Sequence, residues 1–318
     1  MKALILNDTL TLNDLAAPMP KADEALIRVS MAGICNTDLE LIKGYMGFKG
    51  VLGHEFVGVV QACQHKAWLG KRVCGEINFG CRSCEYCRRG MSRHCPRRTV
   101  LGILNQNGAF AEMVVVPVSN LHEVPATVSD ESAVFVEPLA AALEILEQCQ
   151  IQPGHRVGIV GDGKLALLLC QVVKLSGAEI LLIGKHANKM ALAESFGVKT
   201  APLKQIPVKQ FDYVVEVSGS PTGFAAAMQA LKPRGVLILK STYNDKLQLD
   251  AAPIVIDEIT IVGSRCGPFD AAIRLLQQNL VQVQPLVERI FPFHRAVEAI
   301  GYAKQNSTLK VLLRMASQ

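Results

Sequence analysis

An α/β chain of two domains is what the sequence predicts, and three observations carry that expectation. The chain has 318 residues, more than one small core organises at roughly 150 residues per domain. Its first third alternates short apolar segments with Gly and Pro punctuation, the pattern of half-buried strands. From Arg156 onward, compact apolar runs alternate with helical stretches, the pattern of a doubly wound parallel sheet.

In the first third, Ala25 to Met31, Glu55 to Val60 and Glu112 to Val116 read as β-strands. In the second part the buried strands are Val157 to Val160, Ile180 to Ile183, Tyr213 to Val217, Val236 to Leu239 and Thr260 to Val262. Helices are expected over Lys164 to Leu175, Lys189 to Phe196 and Phe224 to Leu231, alternating with those strands. After Gly267 a helix over Phe269 to Leu280 is expected, followed by the segment Ala296 to Ala303 and a terminal strand over Thr308 to Arg314.

Composition excludes several classes of function. Half of the residues are hydrophobic and 19% are charged, so a buried core is available and disorder is not expected. The net charge of +5 is modest, and its cations are scattered in pairs such as Lys71-Arg72, Arg88-Arg89 and Arg97-Arg98, which gives no footprint for nucleic acid. Asn7, Asp8 and Thr9 interrupt the apolar start, leaving no signal-peptide core. The longest apolar run, Leu165 to Cys170, is far short of the roughly 20 residues a membrane span needs. A soluble, cytoplasmic chain without a membrane partner is expected.

The ten cysteines, in a chain without a secretion signal, point to metal or redox chemistry more than to disulfides. Cys81, Cys84, Cys87 and Cys95 fall within fifteen positions. Two-residue spacers let neighbouring thiolates converge on one tetrahedral zinc ion, and four thiolates leave no position for a substrate. A structural Zn2+ is therefore expected there, with catalysis elsewhere. Cys35 and His54, each at the edge of an expected strand, are weak signals taken singly.

Gly161-Asp162-Gly163-Lys164-Leu165-Ala166 places G-x-G-x-x-A directly after a strand and at the start of a helix. Gly161 permits the tight turn, Gly163 lets a pyrophosphate approach the backbone, and Ala166 allows close packing of helix on strand. Unpaired N–H groups at the helix start would receive the phosphates. Gly219, Ser241, Ser264 and Arg265 stand at or just beyond strand ends on the expected ligand side and could line a nicotinamide pocket.

Gly33-Ile34-Cys35-Asn36-Thr37-Asp38, Gly53-His54-Glu55, the cysteine cluster and Val136-Glu137-Pro138-Leu139 occur in that order. In this the chain resembles, essentially end to end, the zinc-containing medium-chain alcohol dehydrogenases, in the branch of the polyol and threonine dehydrogenases. The resemblance implies a GroES-like β-rich catalytic domain at residues 1–142 and 268–318, with a Rossmann domain at 143–267 inserted. It implies a catalytic Zn2+ on Cys35, His54 and Glu137, with Glu55 as a neighbouring carboxylate that binds directly or through water. A ligand set of this kind leaves one position open for an alcohol, aldehyde or ketone.

By the same resemblance Thr37 relays the alcohol's proton, Asp38 orients the imidazole of His54, and Glu40 stands where many relatives carry a histidine at the solvent end of the relay. The second strand of the inserted domain ends at Gly184, without the acid that binds the ribose of NAD. Lys185 and His186 follow, as cations do in NADP-dependent relatives, so NADP(H) is expected over NAD(H). Lys310 falls where relatives carry a basic residue near the pyrophosphate. A homodimer or homotetramer is implied, joined through the edge strand Thr260 to Val262. Two rivals are a zinc-independent quinone or enone reductase of the same superfamily, and a cofactor-binding regulator with structural zinc alone. Cys35, His54 and the four cysteines argue against the first.

Overall fold

Alternation of apolar and polar residues builds the start of the chain into strands. In the computed structural model, which describes residues 1–242, 247, 249–305 and 307–315, Lys2–Leu6 (β1) and Leu10–Asp14 (β2) form an antiparallel hairpin. Glu24–Ile34 (β3) alternates buried and half-buried positions and then becomes buried on both faces from Met31 to Ile34. The helix Asn36–Ile42 (α1) follows it directly. Next come Gly50–Val51 (β4), Glu55–Cys63 (β5), Arg72–Gly75 (β6), Asn78–Phe79 (β7), the single turn Glu85–Arg88 (α2) and Thr99–Val100 (β8). Met113–Pro117 (β9), Leu121–Glu123 (β10) and Asp130–Ala133 (α3) complete this run.

Val136–Gln148 (α4), a helix the sequence reading did not anticipate, leads into the second part. There Arg156–Val160 (β11), Lys164–Lys174 (α5), Glu179–Gly184 (β12), Ala187–Ser195 (α6), Lys199–Pro202 (β13), Phe211–Glu216 (β14), Pro221–Ala230 (α7), Leu231–Leu239 (β15), Ala252–Ile256 (α8) and Thr260–Gly263 (β16) alternate. The six strands pair in parallel in the order β13-β12-β11-β14-β15-β16. That order reverses at β11, and in such sheets ligands bind beyond the carboxyl ends of the strands at the reversal. Phe211, Val214, Phe224, Leu231 and Leu237 form part of its core.

The chain closes with Phe269–Gln277 (α9), Val287–Pro292 (β17), Ala296–Ala303 (α10) and Lys310–Arg314 (β18). β18 pairs antiparallel with β3, Val311 opposite Ile34, and parallel with β17. β3 also pairs with β5 and β9, so the two ends of the sequence share one seven-stranded sheet. Two compact units result, Met1–Glu137 with Phe269–Gln318, and Pro138–Pro268.

Among the element boundaries that differ from expectation, two have clear local reasons. Leu231, read as the end of a helix, is the first residue of β15 and pairs with Phe211, where it is buried, so no loop separates α7 from its strand. The helix from Phe269 ends at Gln277 instead of Leu280 because Asn279 takes a left-handed φ of +54° and the Leu280 N–H turns back to the Leu275 carbonyl. Among the described residues no helix is long and apolar enough to cross a membrane.

Candidate active site and metal centres

The first unit brings Cys35, His54 and Glu55 together: one ligand atom from each lies within 4.8 Å of the others. β3 delivers Cys35 at its end, as the residue before α1, and the neighbouring β5 delivers Glu55 opposite Gly33. Gly33 has no side chain because the Glu55 carboxylate passes where a Cβ would stand. His54 enters through Gly53, whose φ is +95° and whose Cβ would run into the Phe110 ring.

Asp38, fully buried on the first turn of α1, serves both neighbours. Its Oδ2 accepts the Cys35 N–H at 2.8 Å, and its Oδ1 stands 3.3 Å from His54 Nδ1, short of hydrogen-bond geometry. Burial opposes the charged form of His54, but Asp38 and Cys35 together outweigh it and raise the imidazole pKa well above its ordinary value. Thr37 Oγ1 lies 3.7 Å from Cys35 Sγ. Glu40, at the partly exposed face of α1, forms an ion pair with Lys43 at 2.8 Å.

Lys310, expected beside a pyrophosphate, pairs with one of the expected metal-site residues. Its ammonium is buried in the first unit on Glu55 Oε2 and lies 5.6 Å from the centre of the Phe135 ring. A buried carboxylate requires such a countercharge. Glu137 lies outside the mutual 4.8 Å set. Burial of its carboxyl, reinforced by Glu55 and Glu76 and opposed by His54 and Lys310, pushes its pKa up to about 7.

This pocket fits a divalent cation. Glu55 Oε1 is buried without a hydrogen-bond partner, an arrangement that costs stability unless something else is bound, whereas Asp38 Oδ1 and His54 Nδ1 face each other. Glu55 and Glu137 are both acted on by Lys310, and Glu137 by His54 as well, so acidic and basic groups gather at one point of the unit.

A second cluster consists of Cys81, Cys84, Cys87 and Cys95, whose sulfurs lie within 4.8 Å of one another without a disulfide. Hydrogen bonds from Ser83 hold the Cys81 thiol down at about 5, and Arg97 donates to its sulfur at 3.2 Å. Four sulfurs in one tetrahedron's reach, one already favoured as thiolate, are the donor set of a closed zinc site.

In the second unit, Gly161 has a φ of +121°, and a Cβ there would come within 2.9 Å of the Ser218 backbone nitrogen. Gly163 precedes α5 without a side-chain cap and has open space where a Cβ would be, while Ala166 is buried against the sheet. The loop therefore presents bare backbone to a ligand, as a pyrophosphate requires. The Gly219 N–H donates to Ser241 Oγ at 2.8 Å, joining two of the expected pocket residues. Lys240 gathers three more groups, the Ala141 carbonyl, Ser264 Oγ and the Arg265 carbonyl.

Asp162 was not singled out by the sequence. Its Oδ2 accepts the N–H groups of Lys185 and His186 at 2.7 Å each, and His186 Nδ1 stands 2.9 Å from its Oδ1. These bonds draw its pKa down although burial resists. An acid between the two glycines, together with no acid at Gly184, was the signal available.

Residues 21–126 match the family model of the alcohol dehydrogenase GroES-like domain, and residues 165–278 that of the zinc-binding dehydrogenases. D-arabitol-phosphate dehydrogenase of Enterococcus avium is 30% identical over 333 residues, covering 96% of this chain and 94% of that protein. The chain belongs to the zinc-containing medium-chain alcohol dehydrogenase family. Among solved structures, this dehydrogenase is similar to the RspB alcohol dehydrogenase of Escherichia coli in complex with NADH, at TM-score 0.92 and 25% identity over 99% of both chains. It is similar also to a zinc-binding dehydrogenase of Sinorhizobium meliloti bound to NADP, at TM-score 0.90 and 26% identity over 98% of both chains.

The dehydrogenase thus combines a GroES-like unit with a Rossmann unit, in the polyol dehydrogenase-like branch of its family. It is an oxidoreductase of small-molecule alcohols and the corresponding carbonyl compounds, working with a nicotinamide cofactor.

Proposed function

We propose that this dehydrogenase is zinc-dependent and oxidises a small polyol or polyol phosphate, or reduces the matching ketose. The observation that carries the reading is the convergence of Cys35, His54 and Glu55, with Glu55 Oε1 buried and without a hydrogen-bond partner. Cys35, His54 and Glu137 would hold the catalytic ion, with Glu55 Oε1 beside them. Cys81, Cys84, Cys87 and Cys95 would hold a structural one. When bound, the catalytic ion supplies Lewis acidity for the substrate oxygen, and the nicotinamide supplies the site that takes or gives hydride. The substrate class rests on the likeness to D-arabitol-phosphate dehydrogenase.

The protein's own groups do the remaining work. Asp38 holds the Cys35 backbone and faces His54 Nδ1, which leaves Nε2 as the ligating nitrogen. Thr37, within reach of the Cys35 sulfur, takes the proton from the substrate hydroxyl and passes it outward; Glu40 stands further along α1 toward solvent. Gly161, Gly163 and the start of α5 bind the pyrophosphate, and Gly219, Ser241, Ser264 and Arg265 surround the nicotinamide. Lys185 offers an exposed cation to a 2′-phosphate, which taken alone favours NADP(H). Asp162 opposes that preference. A second copy of the chain joins along β16, the edge of the six-stranded sheet, where Ile261 is partly exposed and Val255 and Ile256 of α8 are open to solvent.

The test is NADH and NADPH oxidation by metal-analysed protein against ketoses, ketose phosphates, aldehydes and enones, repeated with Cys35→Ser. Two zinc ions per chain, carbonyl turnover and loss of turnover in a folded, cofactor-binding Cys35→Ser variant are expected. Unchanged carbonyl reduction by that variant contradicts the zinc site, and reduction of enones alone favours the zinc-independent reductase.

A further inference from the structure

In a Rossmann sheet the ribose 2′-position of the cofactor lies beyond the end of the second strand. An acid there binds the hydroxyl of NAD, whereas a cation there accepts the phosphate of NADP. In this chain the second strand, β12, ends at Gly184, and read along the sequence that corner holds no acid. In three dimensions it does. A Cβ on Gly184 would stand 2.7 Å from Asp162 Oδ2 and 3.0 Å from the Asp162 Cβ, so glycine is required there because a carboxylate from the preceding loop fills the space.

That carboxylate is tightly held and almost fully buried. Oδ2 accepts two backbone N–H groups, and Oδ1 takes the His186 ring nitrogen. A carboxylate has about four lone-pair sites, so the three bonds leave one, on Oδ1. His186, one of the two cations expected to receive a 2′-phosphate, is committed to Asp162 and stands as the residue preceding α6. Lys185 keeps an exposed side chain there, and its own N–H is tied to the acid.

We infer that Asp162 is the ribose-recognition acid of this dehydrogenase, displaced from the end of β12 into the glycine-rich loop, and that it sets a preference for NAD(H) over NADP(H). It would accept the 2′-hydroxyl through the open site on Oδ1, and it would repel a 2′-phosphate while withholding His186 from it. This inference rests on the dinucleotide reading of the second unit. It replaces the cofactor preference drawn from Lys185 and His186 alone.

The experiment is direct binding, without substrate, of NADH and of NADPH to the wild-type protein and to Asp162→Asn, read by nicotinamide fluorescence. Asparagine keeps the shape and can still accept the two backbone N–H groups, so the loop should persist. Wild type is expected to bind NADH more tightly than NADPH by about tenfold or more, and Asp162→Asn to shift that ratio toward NADPH by a similar factor. Equal or tighter binding of NADPH by wild type overturns the inference, and so does an unchanged ratio in the variant. Should the variant fail to fold, the wild-type ratio decides alone. Failure of wild type to bind either nucleotide overturns the dinucleotide reading and this inference with it, whereas tight binding with the opposite ratio leaves that reading standing.

Discussion

Asp38 restrains the residues before and beside it in one stroke, holding the Cys35 backbone and facing the His54 ring from full burial. Asp38→Asn should therefore weaken zinc at the Cys35 and His54 site by about 10–100-fold while leaving the four-cysteine site loaded. Competition with a chromophoric chelator measures this; equal loss from both sites would point to general unfolding. Glu137 gives a pH dependence to the metal-free protein. Its carboxyl has a folded pKa of about 7 against an ordinary 4.5, so the fold favours the protonated form. The contribution to stability is complete below the ordinary value and is lost as pH rises through about 7. Urea unfolding should show metal-free wild type losing ground to Glu137→Gln across that range; parallel curves would contradict it. Cys35, His54 and Glu55 were legible in the sequence because their chemistry is uncommon and their neighbours carry turn signals. The partners of Lys310 and Asp162 were not, since each is created by the approach of segments that the sequence does not mark as adjacent.

Between β7 and β8 the chain has almost no apolar core: α2 is a single turn with no buried residue, and of the four cysteines only Cys95 is buried. The cluster of sulfurs must hold this loop. Chelation of the zinc-loaded protein is expected to open it to trypsin at the exposed Arg88 and Arg89, with fragments identified by mass, before the sheets unfold. Resistance until global unfolding would mean that packing holds the loop. The inner strands β11 and β12 were readable because they are mostly buried and so form continuous apolar runs, whereas β16, expected to be buried, is largely exposed at the sheet edge. α4 is masked in the sequence because a proline, Pro138, stands in its first turn. The β1–β2 hairpin carries one local mark, the turn at Asn7, Asp8 and Thr9, between two short strands.

Association through β16 predicts a dimer or larger species in sedimentation velocity. Ile261→Lys should shift it toward monomer without loss of cofactor binding, and an unchanged sedimentation coefficient would place the contact elsewhere. Fold class was legible across the whole chain because two periodicities divide it. The shared sheet of the two chain ends was not, since strand pairing over such separations leaves no local trace. That sheet bears on synthesis. β3 emerges from the ribosome early but receives β18 only after Lys310–Arg314 have been made, and the Glu55 carboxylate waits for the ammonium of Lys310, 255 positions later. The inserted unit, contiguous in sequence, can fold first. Until then, the nascent chain carries an unpaired edge of β3 and a carboxylate without its countercharge. A stop codon just ahead of Lys310 would therefore yield a product with an intact nucleotide-binding unit and a catalytic unit dependent on chaperones.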